Sequence, residues 1–171
     1  MGFRRLSRLG CDWVIPLDED DLLHPSYIER MQQAHRVLPD RGILYPDYTW
    51  FGSRVGYGTH REYNLKSLVQ GPYIISTSLI SVEAWEEVRQ YNGMGFDEAL
   101  VRRGLRWEDY LFFLTAGGLG IKMSRVGQAL VRVRAGGEGS VIANGTIPEW
   151  TEYANQALDA LGVRLNGPNR L

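Results

Sequence analysis

The stretch Trp13-Val14-Ile15-Pro16-Leu17-Asp18-Glu19-Asp20-Asp21 decides how this chain is read. Residues 12 to 17 have the length and apolar composition of a buried strand, and the segment ends abruptly in four consecutive acids. Open α/β sheets place their ligands beyond the carboxyl ends of their strands, so the acids fall where a ligand is expected. Four adjacent carboxylates repel one another, and a divalent cation relieves that repulsion. Mg²⁺ or Mn²⁺ takes oxygen ligands, usually one or two carboxylates, with water and substrate phosphate in the remaining positions. A solvated acidic turn before the helix opened by His24-Pro25-Ser26 is the purely structural alternative, because short acidic motifs have many false positives.

A second acidic pair lies downstream. Gly104-Leu105-Arg106-Trp107-Glu108-Asp109-Tyr110 leads into Leu111-Phe112-Phe113-Leu114-Thr115-Ala116-Gly117-Gly118, which reads as a buried helix from Trp107 to Ala116 stopped by glycine. Glu108 and Asp109 then lie at the helix amino end, where the macrodipole favours carboxylates. Capping alone would explain them. Their combination with the first cluster makes both candidates for a site.

Between and beyond these motifs, helical and extended patterns alternate, as in α/β proteins. A short helix is expected near residues 3 to 9, then the strand 12 to 17 and a helix from about 25 to 38 bounded by Pro25 and Pro39. Ile43-Leu44-Tyr45 reads as a second strand. Tyr48 to His60, with Trp50, Phe51, Tyr57 and three glycines, reads as a hairpin or loop. Its aromatic rings suit core packing, or stacking on a sugar. Ser81 is placed to cap a helix from Val82 to about Gln90, ended by Tyr91-Asn92-Gly93. Ile121 to Val126 and Ala129 to Arg134 read as two strands. Ile147-Pro148-Glu149 opens a last helix whose Trp150, Tyr153, Ala154, Ala157, Leu158 and Leu161 form a packing stripe before Gly162.

The order of these motifs carries a resemblance. A strand, Leu-Asp-x-Asp-Asp and a helix come first, then Gly95-Phe96-Asp97-Glu98, then Trp107-Glu108-Asp109-Tyr110 with an apolar helix and Gly117-Gly118. This resembles the family 2 glycosyltransferases of the GT-A fold over most of residues 3 to 143. Ile75 to Trp85 is similar to the segment before that family's Gly-Phe-Asp-Glu element, and Ala129 to Arg134 followed by Gly136 to Ser140 is similar to its late Tyr-Arg-x-His and Ser-containing loop. The resemblance implies one partial GT-A domain over residues 1–171, a mixed sheet flanked by helices, with 1–143 matching the family and 144–171 a C-terminal helix and tail. It makes Asp18-Glu19-Asp20 the DXD motif, with Asp20 the direct ligand of Mn²⁺ or Mg²⁺ and Asp18 a second metal- and donor-binding carboxylate facing the sugar or ribose. Asp109 becomes the general base, and Glu108 and Trp107 acceptor-binding groups.

The implied activity is metal-dependent, inverting transfer of a sugar from a nucleotide-sugar donor to a hydroxyl of a glycan, lipid or protein. One base facing the acceptor and one cation facing the leaving diphosphate suit a single in-line displacement. Family members carry amino-terminal strands that hold the nucleoside base, and here Met1 to Gly10 corresponds only to the helix before the DXD strand. The expectation is a domain incomplete at its amino end, with a nucleoside pocket completed by another segment. Where many relatives carry a metal-approaching histidine, this chain has Arg134-Ala135-Gly136.

Two other readings compete. One is a truncated or degenerate relative that binds metal, sugar or a partner without catalysis. The other is a phosphatase of the haloacid dehalogenase type, whose strand also ends in Asp-x-Asp; here Asp21-Leu22 occupy the place of its Thr or Val, and its late Gly-Asp-x-x-x-Asp does not occur.

Composition sets outer limits. The 171 residues, 44% of them apolar, suffice for one domain with a sizeable core. A formal net charge of −1 gives no general attraction to nucleic acid, and Arg4, Arg5 and Arg8 read as a solvated face rather than a membrane or phosphate contact. The single cysteine, Cys11, excludes an internal disulfide and suits a reducing cytoplasm. No apolar run reaches about 18 residues, so no transmembrane segment is expected, which leaves peripheral association at the inner face of a membrane.

Overall fold

The structure, a computed structural model, describes residues 10–36, 41–92, 108–136 and 147–160. These build a curled mixed sheet with helices on both faces. The strands are β1 (Trp13–Val14), β2 (Leu22–Leu23), β3 (Gly42–Gly52), β4 (Gly56–Gly58), β5 (Leu79–Ser81) and β6 (Lys122–Ala135). The helices are α1 (Tyr27–His35), α2 (Leu65–Val69), α3 (Val82–Asn92), α4 (Glu108–Gly118) and α5 (Ile147–Ala160). The sheet runs β1-β5-β3-β6-β2, with β4 added to β3. Among the described strands only β3 and β6 pair in parallel; the other pairs are antiparallel.

Period-two alternation divides the core into two layers. Ile43, Tyr45, Ile80, Val14 and Met123 face α2 to α5, together with Leu68, Trp85, Phe112, Leu114, Trp150 and Leu158. Leu44, Leu79, Val126, Leu130 and Val131 face the other way, where Tyr27 and Met31 of α1 cover them. Helix α4 is buried nearly all round from Tyr110 to Gly117, the expected state of a helix without a polar face. Gly117 is required there: a Cβ would lie 2.6 Å from the Tyr63 hydroxyl and 2.9 Å from Leu65.

Several sequence expectations are corrected in detail. The strand expected over 12–17 forms ladder pairs only at Trp13 and Val14, because it leaves β5 after Ile80 and bends toward the acidic turn. The strand expected at 43–45 runs through Pro46 to Gly52, since Pro46 lies opposite Val126 at the first of two register shifts, where an amide donor is not needed in a regular ladder. The aromatic segment is the β3–β4 hairpin. The two strands expected over 121–126 and 129–134 are one strand, β6, whose Gly127-Gln128 break is absorbed as a bulge opposite Pro46 and Asp47. Helix α1 ends at His35 rather than 38, and α4 runs on to Gly118 rather than ending at 116. Helix α2, capped by the Asn64 side chain accepting from the Ser67 amide at 3.1 Å, carried no signal strong enough to be expected.

Ser81 caps α3 as expected, accepting from the Ala84 amide at 3.1 Å. It also accepts from Gly42 N at 3.1 Å, which ties the start of β3 to the end of β5. The expected helix at 3–9, Gly95 to Glu98, Trp107, most of the 136–140 loop, Leu161 and Gly162 lie outside the described residues.

Candidate active site

The two acidic clusters, about ninety residues apart in sequence, converge. After β1 the chain turns through Asp18 to Asp21, closed by the Asp21 amide donating to Asp18 O at 3.2 Å. Asp21 then turns inward and is buried, its Oδ1 accepting from Arg134 N at 2.9 Å. Next, β2 pairs Leu22 with Arg132 and Leu23 with Val131, and His24 N donates to Leu130 O at 2.8 Å. The acidic turn is thus stitched to β6, and Asp21 is its anchor. Asp18, Glu19 and Asp20 are left at the surface.

Glu108 and Asp109 open α4, with the Tyr110 amide donating to Asp109 Oδ1 at 2.7 Å. Asp18 feels both Asp20 and Glu108, and Asp109 feels both Glu108 and Asp18. The Asp18 carboxyl is held above the usual carboxylate range by desolvation first, then by the charges of Asp20 and Glu108. Asp109 is raised chiefly by burial, with Glu108 and Asp18 adding to it and the Tyr110 amide opposing it. Four carboxylates from two distant segments therefore share one field.

The third wall comes from α5. Tyr153 stacks on Tyr110 with ring centroids 6.0 Å apart and planes 18° from parallel, while Trp150 meets Tyr110 edge-on at 5.5 Å. Tyr110 OH donates to Leu68 O at 2.7 Å, fixing α4 against α2. Burial, then Asp109 and Glu108, push the Tyr153 phenol well above its ordinary range, so it stays a neutral hydroxyl beside the acids. Tyr153 was legible in the sequence only as part of a packing stripe; nothing there showed that the stripe ends at the acidic pair.

Among the described residues no three His, Cys, Asp or Glu side chains form a group able to hold a metal ion by themselves. Asp18 and Asp20 can supply two carboxylates on one turn, close enough to repel. That is the donor set of a Mg²⁺-type site, whose other positions belong to water and phosphate. The residues present fit such a cation.

Of the site residues expected from sequence, Asp18, Asp20, Glu108 and Asp109 belong to one region, and Trp107 lies outside the described residues. Sequence reasoning missed the anchoring role of Asp21, the proximity of Tyr153, and Arg132 and Arg134, which flank the acidic turn on β6. No family model matches the sequence, and no curated protein matches it. No helix among the described residues is long and apolar enough to cross a membrane.

Proposed function

We propose that this chain is a metal-dependent, inverting glycosyltransferase of GT-A type that moves a sugar from a nucleotide-sugar donor to a hydroxyl of a glycan, lipid or protein. The observation that carries the reading is the meeting of Asp18 with Glu108 and Asp109. One acidic group lies on an exposed turn suited to a cation and phosphate, and the other is partly buried at a helix amino end and suited to proton transfer.

Asp109 is the base in this reading. Its raised proton affinity brings it nearer to the operating pH than a free carboxylate, which is where a general base works best. It accepts the acceptor hydroxyl proton as that oxygen bonds to the anomeric carbon, while the carbon's bond to the diphosphate oxygen breaks and the diphosphate leaves with the electron pair. Attack opposite the leaving group inverts the anomeric carbon. Glu108 orients the acceptor, and Tyr153 offers a neutral hydroxyl for the same purpose. Asp20 with Asp18 would hold Mn²⁺ or Mg²⁺, which when bound neutralises charge on the leaving diphosphate.

The test is transfer from UDP- and GDP-sugars to an acceptor panel with Mn²⁺ present. Asp109→Asn is expected to lower transfer by about 10²- to 10⁴-fold while donor and metal binding by calorimetry stay close to wild type. A variant that keeps most of its rate would remove Asp109 as the base. Asp20→Ala is expected to abolish metal-stimulated donor binding together with activity; unchanged Mn²⁺ dependence would move the ligand elsewhere.

A further inference from the structure

At the end of β3 and β6, three guanidinium groups lie on aromatic rings. Arg132 Cζ is 5.1 Å and Arg134 Cζ 4.7 Å from the centroid of Phe51, and Arg54 Cζ is 5.4 Å from that of Trp50. Arg54, Arg132 and Arg134 are all exposed, and among the described residues none makes an ion pair. The nearest acid in effect is Asp21, which feels the Arg134 charge but spends its Oδ1 on the Arg134 amide.

Arg132 and Arg134 sit two residues apart on one strand, with Cα atoms about 6.6 Å apart on the same face. Like charges so placed repel. An exposed cation–π contact returns only about 0.5–1 kcal/mol, too little to account by itself for gathering two cations on one ring. What stacking does is hold each guanidinium plane still and leave its N–H edge free, and that fork matches a phosphate bidentately.

The edge of the platform is closed by hydrogen bonds. Ser53 donates to Ala135 O through both its amide, at 3.1 Å, and its Oγ, at 2.9 Å. Gly52 makes that closure possible: its φ is +95°, and a Cβ would lie 2.8 Å from Ala135 O. The platform also adjoins the acidic turn, since Arg134 N holds Asp21 and Arg132 pairs with Leu22.

We infer that Arg132 and Arg134, stacked on Phe51, form an oxyanion subsite that takes a phosphate group of the ligand bound at the Asp18–Asp21 turn. The identity of that ligand rests on the nucleotide-sugar reading; the arginine pair does not. The phosphate belongs either to the donor diphosphate or to a phosphate-bearing acceptor.

The experiment is calorimetric titration of the full chain with inorganic pyrophosphate in EDTA at low salt, so that neither metal nor turnover enters. Saturable binding is expected, about 10-fold weaker in Arg132→Gln or Arg134→Gln and about 100-fold weaker in the double variant. The conservative double Arg-to-Lys variant should fall between, because it keeps charge without the fork. Arg30→Gln, an exposed arginine on α1, should bind as wild type. Absence of binding to wild type, unchanged binding in the folded double variant, or an equal loss in Arg30→Gln would overturn the subsite. Competition then separates the sources: displacement by metal-free UDP assigns the donor, and displacement by poly(glycerol phosphate) but not UDP assigns the acceptor. Displacement by neither would overturn the link to the acidic turn. Asp20→Ala should keep pyrophosphate binding, so failure of the transferase reading and failure of the subsite give different results.

Discussion

Asp47 has 0% of its surface exposed and is charged. Burial pushes its carboxyl up, but Arg125 at 2.9 and 2.6 Å, the His60 amide at 2.9 Å and the Tyr57 hydroxyl at 3.2 Å outweigh burial and hold it below the usual carboxylate range. Its stabilising contribution is therefore present above the unfolded value near 3.8 and is lost as pH falls through the lower folded value. Arg125→Ala would leave that charge buried without its partner, and we expect a loss of about 3–5 kcal/mol in urea unfolding at pH 7. Asp109 has the opposite sign. Its folded value is raised, so stability falls as pH rises from 3.8 through that value and stays reduced at neutral pH. Asp109→Asn, which keeps an oxygen to accept from the Tyr110 amide, should therefore raise the melting temperature at pH 7 while lowering transfer as stated above. Equal melting temperatures would mean that neither burial nor the neighbouring acids strain the Asp109 carboxylate. Asp109 was a legible candidate from its place before an apolar helix; Asp47 was not, because a lone acid in a glycine- and aromatic-rich segment reads as a turn residue until Arg125 is placed beside it.

At the level of elements, α4 and β6 show where local pattern suffices and where it fails. The run Leu111 to Ala116 can only be a buried element, and Glu108-Asp109 before it with Gly117-Gly118 after it fix its ends within two residues. Leu114 has none of its surface exposed; its truncation to Ala should cost about 2–5 kcal/mol, measured by denaturant unfolding. Strand β6 was legible only as two pieces, because Gly127-Gln128 breaks the alternation. The pairing with β3 carries the chain across that break as a bulge, a long-range effect with no local signature. Ser81 acts at the junction of β5 and α3. Ser81→Ala would remove the cap from Ala84 and leave buried Gly42 N without its acceptor, and a loss of about 1–3 kcal/mol is expected.

At the scale of the whole molecule, the candidate site exists because three separate segments meet: the turn after β1, the start of α4 and the stripe of α5. Trp150 is the wedge between α5 and the Tyr110 ring, and it also lies against Gly71, where a Cβ would be 3.3 Å from its ring. Trp150→Ala should cost about 3–5 kcal/mol and, by loosening Tyr153 beside Asp109, should lower transfer more than a core substitution on the α1 side such as Met31→Ala. Equal effects on rate would detach α5 from the site. The sequence by itself determined the α/β alternation, the buried helix, the Ser81 cap and the two acidic clusters, because each is set by residues within a turn or two of one another. The tertiary structure alone decided that Asp18 lies within the field of Glu108 and Asp109, that Asp21 is tied to the Arg134 amide, that Asp47 is paired with Arg125, and that Arg132 and Arg134 share one ring beside the acidic turn. Those facts depend on strand order, register and a bulge, which arise from packing between residues far apart in the chain and leave no periodic trace within it.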